Sequence, residues 1–551
     1  MDKKWTVLHR EKIGRKVLDE EILRILLKNR KIYGREIKSF LSPENPDDLK
    51  PEDVGLKTAT LKKAKRLIDK IGEEKGQIII FGDYDADGLC GTAIIWEMLW
   101  EKGFAVMPYI PNRIEEGYGI SIKTVEKIKK KYPDIKLLIT VDNGIVAHKA
   151  VKLAKKLGIK VIITDHHIPL EEKPLADVIV HSTQISGSAV AWFLAKEFGV
   201  CGLDLVTVGT IADMLPLKGV NRSFAKFGLR EIGKSKRPGI LSLLKKAGIE
   251  KKVLSSYDVS FILGPRLNAA GRMDDALDSL RLLCTPVRDK ADVLAGKLER
   301  INKGRQETMN KCFEQVKKTV DVEKKIIFAA GKNYHQGIIG LVAGKLVEEF
   351  YRPVILIWEG EEISKGSSRS VNGFDILKFI RKADDLLIDV GGHFMAAGFT
   401  LKSNKLKQFE RKILKIAEKE LNGKKLIPEL KIDVEIGFSL LTKRFFQLLQ
   451  KLAPFGFGNP EPVFLIKRAR VLNLKVLGKD EKHLKIWLDD PQTAITERIV
   501  AESIGFGWGG WKDKLFAGDL IDIAFNLDLN CWNGAEKIQL KIKDMKKVSS
   551  E

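Results

Sequence analysis

Residues 77–92 read QIIIFGDYDADGLCGT, and they organise the rest of the chain. Four apolar residues (78–81) make a short buried-strand signal bounded by Gly82, and Gly88 releases a helical pattern over residues 89–100. Asp83, Asp85 and Asp87 therefore fall just past the carboxyl end of a strand, where open α/β sheets bind their ligands. One acid there would suit a helix N-terminus. Three acids so close in sequence repel one another unless a cation lies among them, and carboxylate oxygens suit a divalent ion.

Working outward, residues 58–71 carry apolar residues at helical spacing. Downstream, strand-like runs at 105–110, 137–141, 161–164 and 178–180 alternate with helical patterns at 120–130 and 146–157. That alternation predicts βαβ units and a parallel sheet. LLITVDNGI puts Asp142 directly after its strand, and VIITDHH puts Asp165, His166 and His167 at the same relative position. Asp213, in GTIADMLPL, follows a helical stretch. Acids at three strand ends on one sheet edge converge in space. Two of the chain's eight histidines are adjacent here, beside an aspartate, which reads as imidazole–metal coordination rather than as a structural histidine. Mixed nitrogen and oxygen ligands suit Mn²⁺, and a purely oxygen site suits Mg²⁺ or Ca²⁺. A pair of ions ~4 Å apart can activate a water and stabilise the leaving oxygen of an in-line phosphoryl displacement.

Lys and Arg number 96 against 73 Asp and Glu, and the resulting charge of +23 favours a polyanionic partner, most often nucleic acid. A lysine-rich solvated surface explains the same excess, so charge alone does not establish that partner. No apolar run approaches the ~20 residues of a membrane span, and the N-terminus lacks the apolar core of a signal peptide. The five cysteines are scattered without CxxC spacing, which points to a reducing cytoplasm and away from structural zinc. At 551 residues the chain should hold about three or four domains. No Walker-type phosphate loop is present.

Arg113 in PNRIEEGYG, and Arg266 and Arg272 in GPRLNAAGRM, are planar, permanently charged donors suited to phosphate. Any one of them alone reads more readily as a surface ion-pair partner. Asn268 and Arg272 share a face if their stretch is helical. Thr285-Pro286 reads as a helix start, with the pattern running to about Val320 as a charged connector interrupted only by Gly304. A second α/β module begins at Lys325 and contains KGSSRS and VGGHFMAAGFTL. There Gly391-Gly392-His393, read as leading into a small-residue helix, would let backbone amides approach a phosphate. A tight turn with good packing is the competing explanation. After Ile427 short alternating runs with glycine turns suggest a small closed or partly open barrel. Phe455, Phe457, Trp487 and Trp532 could stack bases there, although residue-type burial favours the core for each.

FGDYDADG, VDNG, TDHH and GTIADMLPL, in this order, resemble the four motifs of the DHH phosphoesterase superfamily. PNRIEEGYG, GPRLNAAGRM and APFGFGNPEPVF resemble segments of its RecJ exonuclease family. The resemblance implies that Asp85, Asp87, Asp142, His166 and Asp213 are catalytic metal ligands, with His167 a ligand or close support. Asp83 and Asp165 would stand behind them. Many relatives carry histidine where this chain has Phe81, so one ligand available to them is missing. The GGH motif of the DHH-associated domain would face the metal site across a cleft. Ser367, Arg369, Gly391, Gly392 and His393 would then contact substrate together with Arg113, Arg266, Asn268 and Arg272.

The implied architecture is α/β. It comprises an N-terminal extension (1–56), a parallel-sheet DHH catalytic domain (57–284), a connecting helix (285–322), a DHH-associated α/β domain (323–427) and an OB-fold barrel (428–551). The OB-fold would bind single strands on one face. The implied activity is hydrolysis of single-stranded DNA from the 5′ end to mononucleotides, in recombination and repair, with two Mn²⁺ or Mg²⁺ ions. Implied partners are single-stranded DNA, a helicase and a single-strand-binding protein; the chain would be a cytoplasmic monomer without membrane contact. Two alternatives stand beside this. A DHH phosphodiesterase acting on nanoRNA or cyclic dinucleotides would be shorter and lack the barrel. A non-catalytic scaffold should have lost ligands that this chain retains.

Overall fold

A computed structural model of the chain describes residues 3–548 apart from 15, 16, 201, 251, 252, 322, 424, 495, 497, 533 and 534. The chain forms two compact units: residues 45–215 with 227–426, and residues 1–44 with 216–226 and 427–551. Strand β1 (Lys4–Ile13) belongs to the latter.

In the first unit, β2 (Gln77–Gly82), β3 (Val106–Tyr109), β4 (Ile135–Val141), β5 (Lys160–Asp165) and β6 (Val178–His181) form a parallel sheet in the order β3-β2-β4-β5-β6. Its strands are near-continuous apolar runs because both faces are covered. One face packs Phe81 with Tyr109, Val125, Ile128 and Val151. The other carries the helices Ala86–Glu101 and Gly187–Lys196, which are apolar almost all round and almost wholly buried. The register places Gly82, Val141 and Thr164 in one row, so Asp83, Asp142 and Asp165 are the next residues of their strands. The ladder continues past that row: Asp83 N–H donates to the Val141 carbonyl at 3.2 Å, and Asp142 N–H to the Thr164 carbonyl at 2.9 Å.

The connecting helix runs Arg288–Thr319, later than its sequence signal. Thr285 instead closes the preceding helix, Leu277–Cys284, and its hydroxyl accepts the Val287 N–H. The long helix passes unbroken through Gly304. Beyond it, β7 (Ile327–Gly331), β8 (Val354–Trp358), β9 (Ile363–Arg369), β10 (Leu387–His393) and β11 (Ala396–Lys402) form a second sheet in the order β10-β11-β9-β8-β7. The GGH stretch does not open a helix, contrary to the sequence expectation. It ends β10 in a hairpin with β11. Gly392 has φ +144°, and a Cβ there would lie 2.3 Å from the Ala396 carbonyl, so the hairpin rather than a helix start explains the glycine.

In the other unit, the strands are β12 (Glu429–Ile436), β13 (Phe464–Leu477), β14 (His483–Asp489), β15 (Ala501–Gly505), β16 (Leu520–Trp532) and β17 (Ala535–Lys547). The long β13 pairs with β16 along its first half and β14 along its second, which closes a five-stranded barrel β13-β14-β15-β17-β16. β12 extends this sheet, and β1 runs parallel to β12 with Trp5 opposite Leu430. The helix Asp19–Asn29 adds Ile22, Leu23, Leu26 and Leu27 to the core that holds Phe464 and Phe525. The described residues up to Glu44 thus belong to the barrel unit. No helix among the described residues is long and apolar enough to cross a membrane.

Candidate active site

The strand-end acids meet as the sheet register requires. Asp83, Asp85 and Asp142 offer oxygens within 4.8 Å of one another; so do Asp142, His166 and His167, and Asp87, His166 and Asp213, through their nitrogens and oxygens. Asp142 belongs to two of these triads. Its backbone is left-handed, at φ +62°, a conformation that costs energy for a non-glycine residue and is concentrated at functional sites. The helix beside it gives way: a Cβ on Gly187 would lie 2.3 Å from Asp142 Oδ1. Gly88 likewise sits against the Asp83 backbone.

Asp85 caps the helix Ala86–Glu101, its Oδ1 accepting the N–H groups of Asp87 and Gly88. Asp87 is engaged on both oxygens. Oδ2 accepts the Gly187 N–H, and Oδ1 accepts the Ser188 N–H and hydroxyl. Asp83 is the contrary case, because its buried Oδ1 has no hydrogen-bond partner. Asp142 Oδ1 is in the same condition, with His166 Nε2 at 3.1 Å but not aligned as a hydrogen bond. Asp165 Oδ1 lies 2.8 Å from His167 Nδ1 and also accepts the N–H groups of His166 and His167, while Oδ2 accepts that of Ile145. Tyr118 Oη stands 3.0 Å from His167 Nε2.

Burial, and then the neighbouring acids, hold Asp83 and Asp142 well above the usual carboxylate range. Burial and Asp87 raise Asp85 in the same way. Partial burial, Asp87 and Asp85 push Asp213 up to about 8. Burial lowers His166, which keeps its imidazole neutral and its lone pair available. Uncompensated oxygens beside a neutral imidazole are what a divalent cation requires, so the donor set fits a metal centre.

The helix Gly264–Met273 buttresses the acidic loop. Asn268 Oδ1 accepts the Ala86 N–H at 2.6 Å, and a Cβ on Gly271 would lie 2.6 Å from the Tyr84 carbonyl. Asn268 is thus tied to the loop, a use its spacing did not reveal. Arg266 is tied within the protein: Nε pairs with Glu299 at 2.7 Å and Nη1 donates to the Ile262 carbonyl. Arg113, Arg272 and Arg369 form no ion pair among the described residues. Arg113 lies over the Tyr84 ring at 4.9 Å, Arg272 donates to the Gly337 carbonyl, and Arg369 donates to the Ser367 hydroxyl and Ser368 carbonyl. Burial and then Arg113 and Arg305 push Arg272 down to about 9; burial and Arg113 lower Arg369. Three arginines gathered without an ion pair suit an anion.

On β9, Lys365, Ser367 and Arg369 alternate with buried Ser364, Gly366 and Ser368, so the basic residues share the open face. His393, Ala396 and Arg369 occupy one row across β10, β11 and β9, which puts His393 on that face too. Gly391 lies in the row of Ser367. In the barrel, Phe455 packs against the core, Phe457 is exposed, and Trp487 is half-buried beneath Lys485. The side chain of Trp532 lies outside the described residues. Sequence reasoning missed Tyr118, although it lies within the quoted PNRIEEGYG, and missed Gly187 and Ser188.

The sequence matches the DHH family, N-terminal domain, over residues 77–214, the DHHA1 domain over 323–421 and the RecJ OB domain over 432–544. It is 34% identical to the single-stranded-DNA-specific exonuclease RecJ of Bacillus subtilis, across 92% of this chain and 65% of that protein. Against the Escherichia coli protein of the same name, identity is 32% across 88% of this chain and 86% of the relative. A crystal structure of RecJ in complex with Mn²⁺ from Thermus thermophilus superposes with a TM-score of 0.82 at 28% identity, covering 99% of this chain and 80% of that one. The chain thus spans about two thirds of its Bacillus relative and most of the other two. With its strand-end acids, its second α/β module and its barrel each matched in order, the chain belongs to the RecJ family of single-stranded-DNA-specific exonucleases.

Proposed function

We propose that the chain hydrolyses single-stranded DNA stepwise from the 5′ end, releasing mononucleotides, with two Mn²⁺ or Mg²⁺ ions held at the strand-end cluster. The observation that carries this reading is the pair of buried oxygens without hydrogen bonds, Asp83 Oδ1 and Asp142 Oδ1, in one triad with Asp85. Asp83, Asp85, Asp87, Asp142, His166 and Asp213, with His167, would hold the ions. Asp87, whose oxygens are engaged, fixes the helix Gly187–Lys196 behind the site. Asp87 also stands in one triad with His166 and Asp213, as its expected ligand role requires. When bound, the ions supply an activated water and neutralise charge in an in-line displacement.

The chain's own residues do the rest. Asp165 holds the His167 ring, Asn268 holds the loop that carries Asp85, and Arg113, Arg272, Arg369 and Ser367 receive the phosphates. His393 and the Gly391-Gly392 backbone contact the strand from the open face of the second sheet. In this reading residues 57–284 catalyse, 285–322 connect, 323–427 grip the backbone and 428–551 bind single strands. The direction of digestion is that of the family. A helicase and a single-strand-binding protein are the expected partners. All cluster ligands come from one chain, which suits a monomer, and the four described cysteines are free, which suits a reducing cytoplasm.

The test is Mn²⁺-dependent digestion of single-stranded DNA labelled at either end, with duplex DNA and short RNA alongside. Early mononucleotide release from the 5′ label, on single strands only, is expected. Release from the 3′ label first, or a preference for short RNA, would overturn it.

A further inference from the structure

Three arginines show how this chain satisfies that residue type when it is withdrawn from water. Arg222 gives its donors to the carbonyls of Phe40, Leu452, Ala453 and Pro454. Arg30 gives its own to Asp433, Asn459 and the carbonyls of Leu26 and Pro460. Arg237 donates to Glu97, Asp204 and the Leu283 carbonyl. Arg305, on the connecting helix, is 8% exposed, close to the 7% of Arg30, yet it is treated differently. Its Nε and Nη2 share a single neutral acceptor, Asn302 Oδ1, at 3.2 and 2.8 Å. No carboxylate pairs with it, and nothing accepts from Nη1, among the described residues. Nη1 is not among the fully buried unpaired atoms, so this donor is open to a ligand.

The location says which ligand. One turn further along the same helix, Met309 packs into a cluster that also takes Met273 and Ile338. The Arg305 side of the helix therefore faces Arg272 and the loop at 335–340. There the Gly337 carbonyl accepts from Arg272, and Gly340 backs onto the Arg369 guanidinium. We propose that Arg305 is a phosphate-binding residue of the cleft, forming with Arg272 a seat for one backbone phosphate of the single-stranded substrate. The proposal rests on the exonuclease reading and adds the connecting helix to the binding surface.

Arg305→Met, in the full chain, tests it: the substitution keeps the length of the side chain and removes the charge. Binding of single-stranded DNA is measured in EDTA as a function of salt, alongside thermal melting. The expected result is about tenfold weaker binding, and a salt slope smaller by ~0.7, the share of one phosphate contact on a single strand. The melting temperature should hold, because only the hydrogen bonds to Asn302 are lost. Arg305→Lys should keep the slope and lose only part of the affinity. Unchanged affinity and slope in Arg305→Met, or failure of that variant to fold, would make Arg305 a structural residue and overturn the inference alone. Absence of salt-dependent binding by the unaltered chain would overturn the exonuclease reading and this inference with it.

Discussion

Asp83 and Asp142 stand at the ends of adjacent strands and share one condition: each is 2% exposed, and each holds an oxygen, Oδ1, that no hydrogen bond satisfies. Side by side, two such carboxyls are tolerable only when protonated or gathered around a cation. The pair is thereby suited to hold a divalent cation.

Asp142→Ala removes the acid common to two of the three triads. Hydrolysis should fall by about 10²- to 10³-fold or more, as when a group that stabilises transition-state charge is lost. Binding of single-stranded DNA in EDTA should stay within about twofold, since Arg113, Arg272 and Arg369 are untouched. Single-turnover kinetics beside filter binding check both. Cleavage retained by the purified variant would contradict the ligand assignment.

The pH dependence follows from the raised carboxyls. Asp83, Asp142 and Asp213, the last pushed up to about 8, keep protons in the folded metal-free protein that an unfolded chain releases near pH 4. The folded state then binds more protons between those values, so metal-free stability falls as pH rises from 4 toward 8. A metal must displace the same protons, so its affinity rises over that interval. The increase in melting temperature on adding Mn²⁺ should therefore be larger at pH 8.5 than at pH 6.5, with proton release seen in unbuffered titration. An equal increase at both would contradict the raised carboxyls.

Gly187→Ala should act through Asp142. Its Cβ would fall 2.3 Å from Asp142 Oδ1 and 2.6 Å from Asp142 Cγ, so the carboxylate must move. Mn²⁺ affinity should weaken by about 10- to 100-fold, the usual effect of disturbing what orients a ligand. Strand binding without metal should not change. Isothermal titration distinguishes this from a folding defect, which would weaken both.

Asn268→Ala separates two roles for one residue. If Asn268 holds the Ala86 N–H in place, its loss loosens the loop that carries Asp85 and weakens metal binding, by about 10-fold. If it touched substrate first, KM for DNA at saturating Mn²⁺ would rise with metal affinity intact. The former outcome is expected.

The parallel sheet and its acidic edge were legible because strand periodicity and the position of each acid relative to its strand end are local properties. Register then did the rest, setting Asp83, Asp142 and Asp165 one residue past a common row. What escaped depends on partners remote in sequence. Arg266 reads as a donor suited to phosphate, and only the fold shows it paired with Glu299, 33 positions on. Strand β1 carried no signal because its partner β12 lies more than 400 residues away. The hold of Gly187 and Ser188 on Asp87 was hidden for the same reason, since those donors lie about 100 positions away. GGHFMAAG misled differently: small residues suit both a helix start and a tight hairpin, and only the pairing of β10 with β11 decides.

The most direct test of the metal centre is anomalous diffraction from crystals of the chain soaked in Mn²⁺. Two peaks are expected within the cluster of Asp83, Asp85, Asp87, Asp142, His166, His167 and Asp213. A chain that cleaves single-stranded DNA while showing no peak at Asp83 Oδ1 or Asp142 Oδ1 would contradict it.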